Sequence, residues 1–253
     1  KRFGEAGFGI ECARITGTLG NPRWNLAAKW KLARELAPAK VRVKQTITGP
    51  HMLARLSVNE RPDLYADDEA LARAYAAVLE DELREVIAAG CDYVQFDEPV
   101  WTEAPHESAW AAEVLAGLIK RLPRVRFGLH VCGGNPRRKR IYFGKYTDMV
   151  PAFQKLPIDE VSLEHCTLDY DLMVLWEKWD FAGDLTLGVI DQRSDEVEDE
   201  ETVWRRTQPA LEHFSAERLL LTSECGFGHV PIDITRAKLE VLARSCQSFR
   251  TRL

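Results

Sequence analysis

Along most of the chain a short β-rich run is followed by a longer stretch of helical periodicity, and this alternation limits the fold more than any other feature. The β-rich runs lie at 41–46, 91–97, 125–131, 160–164, 185–191 and 218–223. Helical periodicity fills 68–89, 108–122, 146–156, 171–179, 198–213 and 234–250. Gly90 stands where a helix C-cap belongs, just before the run that begins at Cys91. Alternation of this kind predicts parallel strands joined by helical crossovers. A looser run at 9–17, followed by a helical stretch at 25–36, is expected to add a seventh unit. Eight units close a (β/α)8 TIM-type barrel. The chain does not open with Met, so the first βα unit is expected to be absent from it. The alternative is an open doubly wound sheet, which usually carries a Gly-rich phosphate turn. No G-x-G-x-x-G or P-loop is found, so the barrel is favoured.

Length and composition agree with that fold. A chain of 253 residues suits one α/β barrel, and residues 1–253 are read as a single catalytic domain. The net charge of −5 argues against a nucleic-acid or anionic-membrane partner. No apolar run nears the ~18 residues that span a bilayer, and the first residues lack the apolar stretch of a signal peptide. Six cysteines are scattered without a C-x-x-C pair, which predicts reduced thiols and a cytoplasmic location.

The reactive residues collect at one end of the β-rich runs. Asp97 and Glu98 end the second, His130 and Cys132 the third, Glu164 the fourth and Asp191 the fifth, and Cys225 follows the sixth by a short turn. In a parallel barrel these ends form one face, the face on which active sites are built. One His, two Cys and one carboxylate make a donor set for tetrahedral Zn²⁺, because soft sulfur favours zinc over magnesium or calcium. In His130-x-Cys132 both side chains leave an extended segment on the same side. A thiolate-rich zinc site suits the holding and activation of a sulfur ligand. Water-activating sites more often use His and carboxylate.

These residues also resemble a known family. Thr48-Gly49-Pro50, Gln95-Phe96-Asp97-Glu98-Pro99, His130-Val131-Cys132-Gly133-Gly134-Asn135, Glu164 and Glu224-Cys225-Gly226-Phe227-Gly228 are similar, in order, to the C-terminal catalytic domain of cobalamin-independent methionine synthase. The resemblance implies a (β/α)8 barrel and a zinc site that activates homocysteine for methyl transfer. It implies His130, Cys132, Glu164 and Cys225 as zinc ligands, with Glu164 displaced when the thiol arrives. It implies Asp97 as the carboxylate that holds the substrate amino group. Glu98 and Asp191 are further candidates for substrate binding, and Asp97 and Asp191 for catalysis. Leu56 stands where the family usually has a Trp against which the folate ring packs, so the methyl donor is open between a methyl-folate and a methyl-corrinoid protein. Gly4-Glu5 matches either of two Gly-Glu pairs in the family, and Glu5 is left unassigned.

Rival readings remain at this stage: an alkyltransferase acting on another thiol such as coenzyme M, a zinc hydrolase, and a non-catalytic metal-binding barrel. Asp191 serves equally well as a loop-ordering residue. Arg137-Arg138-Lys139-Arg140 reads either as a solvated loop or as an attractor for an anionic donor. Six acids in 195–201 read as the N-terminal turn of the next helix. Trp101, just past Asp-Glu-Pro, is expected to wall the pocket, and His165 and Cys166 are expected to stand off the metal.

Overall fold

A computed structural model describes residues 2–3, 8–20 and 24–252; Glu5 lies outside them. Six strands form one sheet: β1 (Gln45–Thr48), β2 (Tyr93–Asp97), β3 (Arg126–Val131), β4 (Glu160–Glu164), β5 (Asp184–Ile190) and β6 (Leu219–Ser223). Each pairs in parallel with the next in sequence. An unbroken strand order of this kind is that of an α/β barrel, whereas a doubly wound sheet reverses its order at a switch point. Backbone hydrogen bonds among the described residues do not close the sheet between β6 and β1. Every residue of β4 is buried, as are all but the first of β5, because a parallel sheet is covered on both faces.

Among the described residues, seven α-helices accompany the strands: α1 (Leu26–Leu36), α2 (Pro50–Arg55), α3 (Asp68–Ala88), α4 (Ser108–Arg121), α5 (Val150–Phe153), α6 (Glu200–Thr207) and α7 (Ile232–Phe249). The Asp67 carboxylate caps α3 by accepting the Ala70 N–H at 2.7 Å. Gly90, at φ 106°, ends that helix as its residue type predicts. Asp199 caps α6 through the Thr202 N–H at 2.7 Å, so part of the acid run does serve as a helix start.

Three of the expected stretches change. The run at 9–17 gives Ala13–Ile15, which pairs with Ser57–Asn59 outside the main sheet, and Gly9, which pairs with Arg2 in a separate antiparallel ladder, so it adds no seventh strand to that sheet. Within Ala13–Ile15 only Ile15 is buried, too little apolar surface to take a place in a sheet covered on both faces. The stretch at 146–156 divides into a 3₁₀ turn (Tyr146–Met149) and the short α5, which carries Pro151 in its first turn. At 171–179 only the 3₁₀ turn Leu172–Leu175 forms. There Trp179 stacks between Phe153 and Phe181, at 5.0 and 4.5 Å between ring centroids.

Strand register brings the reactive ends together. Asp97 stands opposite His130, His130 opposite Ser162, and Glu164 opposite Gly188. At Gly188 a Cβ would lie 2.9 Å from the Glu224 Cα, so only glycine lets the segment after β6 fold in over the sheet. The β6 register shifts between Thr222 and Ser223, and this irregularity turns the chain toward Cys225.

Candidate metal centre

His130, Cys132 and Cys225 converge at these strand ends. One ligand atom from each lies within 4.8 Å of the other two. The two sulfurs are 3.7 Å apart. Thiolates each ~2.3 Å from a tetrahedral zinc stand roughly 3.8 Å apart, so the spacing fits a shared metal. A disulfide requires about 2 Å, and all six cysteines are free. The His130 Nδ1 lies 3.3 Å from the Ser162 hydroxyl, which orients the ring.

The three groups perturb one another's protons. The hydrogen bond with Cys132 pulls the Cys225 thiol well below its ordinary range, and His130 adds to the pull against the cost of burial. Cys132 moves the other way, pushed up by the same hydrogen bond, by burial and by the charge of Glu164. Burial draws the His130 imidazole down, but its hydrogen bond to Cys225 and the charges of Asp97, Cys225 and Glu164 lift it above the usual value. The proton of the cysteine pair is thus drawn towards Cys132 and away from Cys225, beside the His130 ring. Such protons are readily exchanged for a metal ion.

Glu164 is fully buried beside this group but is not one of its three members. One carboxylate oxygen is ion-paired with Arg193. The other accepts the Gly133 N–H at 2.8 Å and faces the Arg140 Nε at 3.6 Å. Asp97 accepts a hydrogen bond from the Gln95 Nε2 at 2.7 Å, and burial raises its carboxyl against the pull of His130. His165 and Cys166, just past the end of β4, stand outside the three-residue group.

The other candidate residues at the strand ends make contacts of their own. Glu98 is fully buried, and its two oxygens accept the N–H groups of His51 and Met52 at 3.0 and 2.8 Å, fixing the start of α2. Asp191 turns its carboxylate back onto the Arg193 N–H at 2.8 Å, ordering the loop after β5. Trp101 has no exposed surface and stacks on Phe153 at 6.0 Å, so it belongs to the core. In the basic run, Arg138 donates to the carbonyls of Gln192 (3.3 Å) and Arg193 (2.9 Å), while Arg140 donates to Tyr142 O at 3.0 Å. Asn135 donates to Gly226 O at 3.0 Å. The loops after β3, β5 and β6 are thereby tied into one surface over the cysteines.

A family model described as "Cobalamin-independent synthase, Catalytic domain" matches residues 15–247. The chain belongs to that family. Among relatives of this cobalamin-independent synthase domain, methionine synthase of Sulfurisphaera tokodaii is 29% identical over 211 residues, covering 83% of this chain and 58% of the relative. That of Sulfolobus acidocaldarius is 29% identical over 197 residues, covering 78% and 53%. The chain thus spans a little over half the length of these relatives. A B12-independent methionine synthase from Shewanella sp. W3-18-1, solved with selenomethionine, superposes with a TM-score of 0.84 at 25% identity over 94% of this chain and 70% of that one. A putative vitamin-B12 independent methionine synthase from Listeria monocytogenes shares the fold, with a TM-score of 0.72 at 21% identity over 93% and 73%.

Arg193 and Glu224 are the residues of this synthase-family site that sequence reasoning did not assign. Arg193 bridges Glu164 and Glu224, the latter at 3.0 Å. Glu224 is fully buried and also accepts the N–H groups of His165 and Thr167 at 3.0 and 2.8 Å. The signal was present: Glu224 precedes a candidate ligand, and Arg193 follows a strand end by a short turn.

Proposed function

We propose that this single barrel domain is the core of a zinc-dependent methyltransferase that moves a methyl group onto the thiol of homocysteine, giving methionine. The observation that carries this reading is the His130–Cys132–Cys225 group, whose sulfur spacing of 3.7 Å suits one metal ion, placed beside Asp97 at the strand ends. The methionine synthase relatives support it. Zinc held by these residues would keep the incoming thiol ionised, and hence nucleophilic, at neutral pH.

The chain's own residues do the rest. His130, Cys132 and Cys225 would hold the ion. Asp97, kept in orientation by Gln95, accepts hydrogen bonds from the substrate ammonium group. Glu98 and Asp191 act from behind, one by anchoring α2 and the other by shaping the loop that carries Arg193. In the transfer itself a sulfur–carbon bond forms as the donor's bond to the methyl group breaks. The donor is a methyl-folate or a methyl-corrinoid protein. Leu56 packs against Ile141 and Tyr142 and offers no aromatic ring of its own for stacking. Two unbridged thiols in the site suit a reducing compartment such as the cytoplasm.

Zinc X-ray absorption with and without homocysteine tests the reading. The expected result is one sulfur gained and one oxygen or nitrogen lost on adding homocysteine. An unchanged set of ligands would reject homocysteine as the acceptor.

A further inference from the structure

Aromatic rings are kept inside this molecule with one exception. Among the residues whose side chains are described, Phe143 is the one exposed aromatic, with 53% of its surface open to solvent. A single exposed apolar side chain is ordinary on a protein surface. Two features set Phe143 apart: where the chain puts it, and how firmly it is held.

Phe143 lies in the loop after β3, on the face where His130, Cys132 and Cys225 gather. The two residues before it, Ile141 and Tyr142, both donate their N–H groups to Gly133 O at 2.9 Å, and Gly133 directly follows Cys132. The residue after it, Gly144, donates its N–H to Thr102 O at 2.8 Å. The Thr102 hydroxyl in turn donates to Cys132 O at 2.7 Å. The backbone on both sides of Phe143 is thus tied to the residues around one sulfur of the metal centre. Ile141 and Tyr142 turn inward and pack with Leu56 and Cys12, so of three successive large side chains only Phe143 points out.

Arg140 completes the arrangement. Its guanidinium carbon lies over the Phe143 ring, 5.6 Å from the centroid, and its Nε donates to Tyr142 O at 3.0 Å. An exposed ring on a backbone fixed from two directions, with a cation over it, is a preformed stacking surface. A ligand ring laid on it need not order the loop first. The reaction says which ring. Homocysteine has none, and its ammonium group goes to Asp97. The other reactant is the methyl donor, and both a methyl-folate and a methyl-corrinoid carry a flat conjugated nitrogen heterocycle, the pterin in one and the benzimidazole base in the other. Heterocycles of this kind stack well on an aromatic side chain.

We propose that Phe143, together with Arg140, forms a stacking subsite for the flat nitrogen heterocycle of the methyl donor. This deepens the functional reading above and rests on it. Calorimetric titration of the zinc-loaded protein with 5-methyltetrahydrofolate and, separately, with methylcobalamin tests it. At least one of the two is expected to bind, and F143A should weaken that ligand about tenfold while zinc content and the response of the zinc to homocysteine stay native. F143W offers a larger ring and should bind at least as tightly as the native protein. The ligand that responds to F143A identifies which heterocycle the subsite takes.

The proposal is overturned if neither ligand binds the native protein, if F143A weakens neither, or if F143W is as weak as F143A. A native protein that holds zinc yet gains no sulfur from homocysteine would instead remove the functional reading beneath it. That measurement does not involve Phe143, so the two failures are distinguishable.

Discussion

The two ends of the sheet's interior are both polar, yet they are built on opposite plans. At the N-terminal ends, buried Glu160 is saturated: Lys44 stands 3.2 Å from one oxygen and Arg126 3.0 Å from the other, with the Thr186 hydroxyl donating at 2.8 Å. Arg126 also pairs with Asp184, and three cations surround the Tyr93 ring at 4.8–5.1 Å. Every charge there has its counter-charge. At the C-terminal ends, two sulfurs and an imidazole converge at the spacing of metal ligands. Matched charges fix a structure, whereas unmatched donors held at metal-ligand spacing ask for something to be bound.

The comparison breaks most severely at the cysteines. Cys132→Ser or Cys225→Ser should each lower zinc affinity by more than about a hundredfold and abolish transfer while leaving the fold intact, as metal analysis and circular dichroism would show. The opposite end should respond in the opposite way. Glu160→Gln leaves Lys44 and Arg126 facing a neutral amide and should cost about 3–5 kcal/mol of stability in urea unfolding, with zinc stoichiometry unchanged in the folded fraction.

The two ends are physically joined. Lys44 donates to the Gln95 carbonyl at 2.5 Å, and the other face of that amide donates to Asp97. Asp97→Asn should therefore raise KM for homocysteine roughly ten- to hundredfold with a smaller change in kcat, and Gln95→Leu should produce a weaker version of the same split in steady-state kinetics. A rise in KM for Gln95→Leu larger than for Asp97→Asn would show that the connection carries more than orientation.

The smallest expected effect concerns pH. Burial pushes the Glu98 carboxyl up to about 8 against the pull of two backbone N–H groups. A carboxyl raised on folding binds its proton more tightly in the native state, so its contribution is full below pH 4.5 and is lost as pH rises towards 8. Glu98→Gln should flatten that part of the stability profile, seen as a shift of a few degrees in melting temperature between acid and neutral buffer.

Much of this was legible from residue types alone. The run at 160–164 is observed as Glu160–Glu164, and the strand ends that gather His130, Cys132 and Cys225 follow from alternation of β-rich and helical segments. What escaped depends on contacts across space. Ala13–Ile15 looked like a barrel strand because its partner, Ser57–Asn59, is three residues long and carries no run of apolar residues. Glu98 reads as a substrate carboxylate in sequence, and only the arrival of α2 above it shows its oxygens already engaged. Trp101 follows a reactive motif in the chain, but the 3₁₀ turn at Pro99–Thr102 rolls it into the core. Arg193 was missed because its partners lie 29 and 31 residues away in opposite directions.

The separation of the two cysteines sets a timetable for the protein's manufacture. Cys132 and Cys225 are 93 residues apart, so a chain emerging from the ribosome presents His130 and Cys132 long before the second sulfur exists. Two donors on one strand end grip an ion feebly; three or four hold it. Tight capture must await the folding of β4, β5 and β6, the last of which delivers Cys225 to the site. On the proposed reading, uptake of the ion would therefore be a stamp applied late, and metal content in a growing cell should count finished molecules rather than polypeptide made.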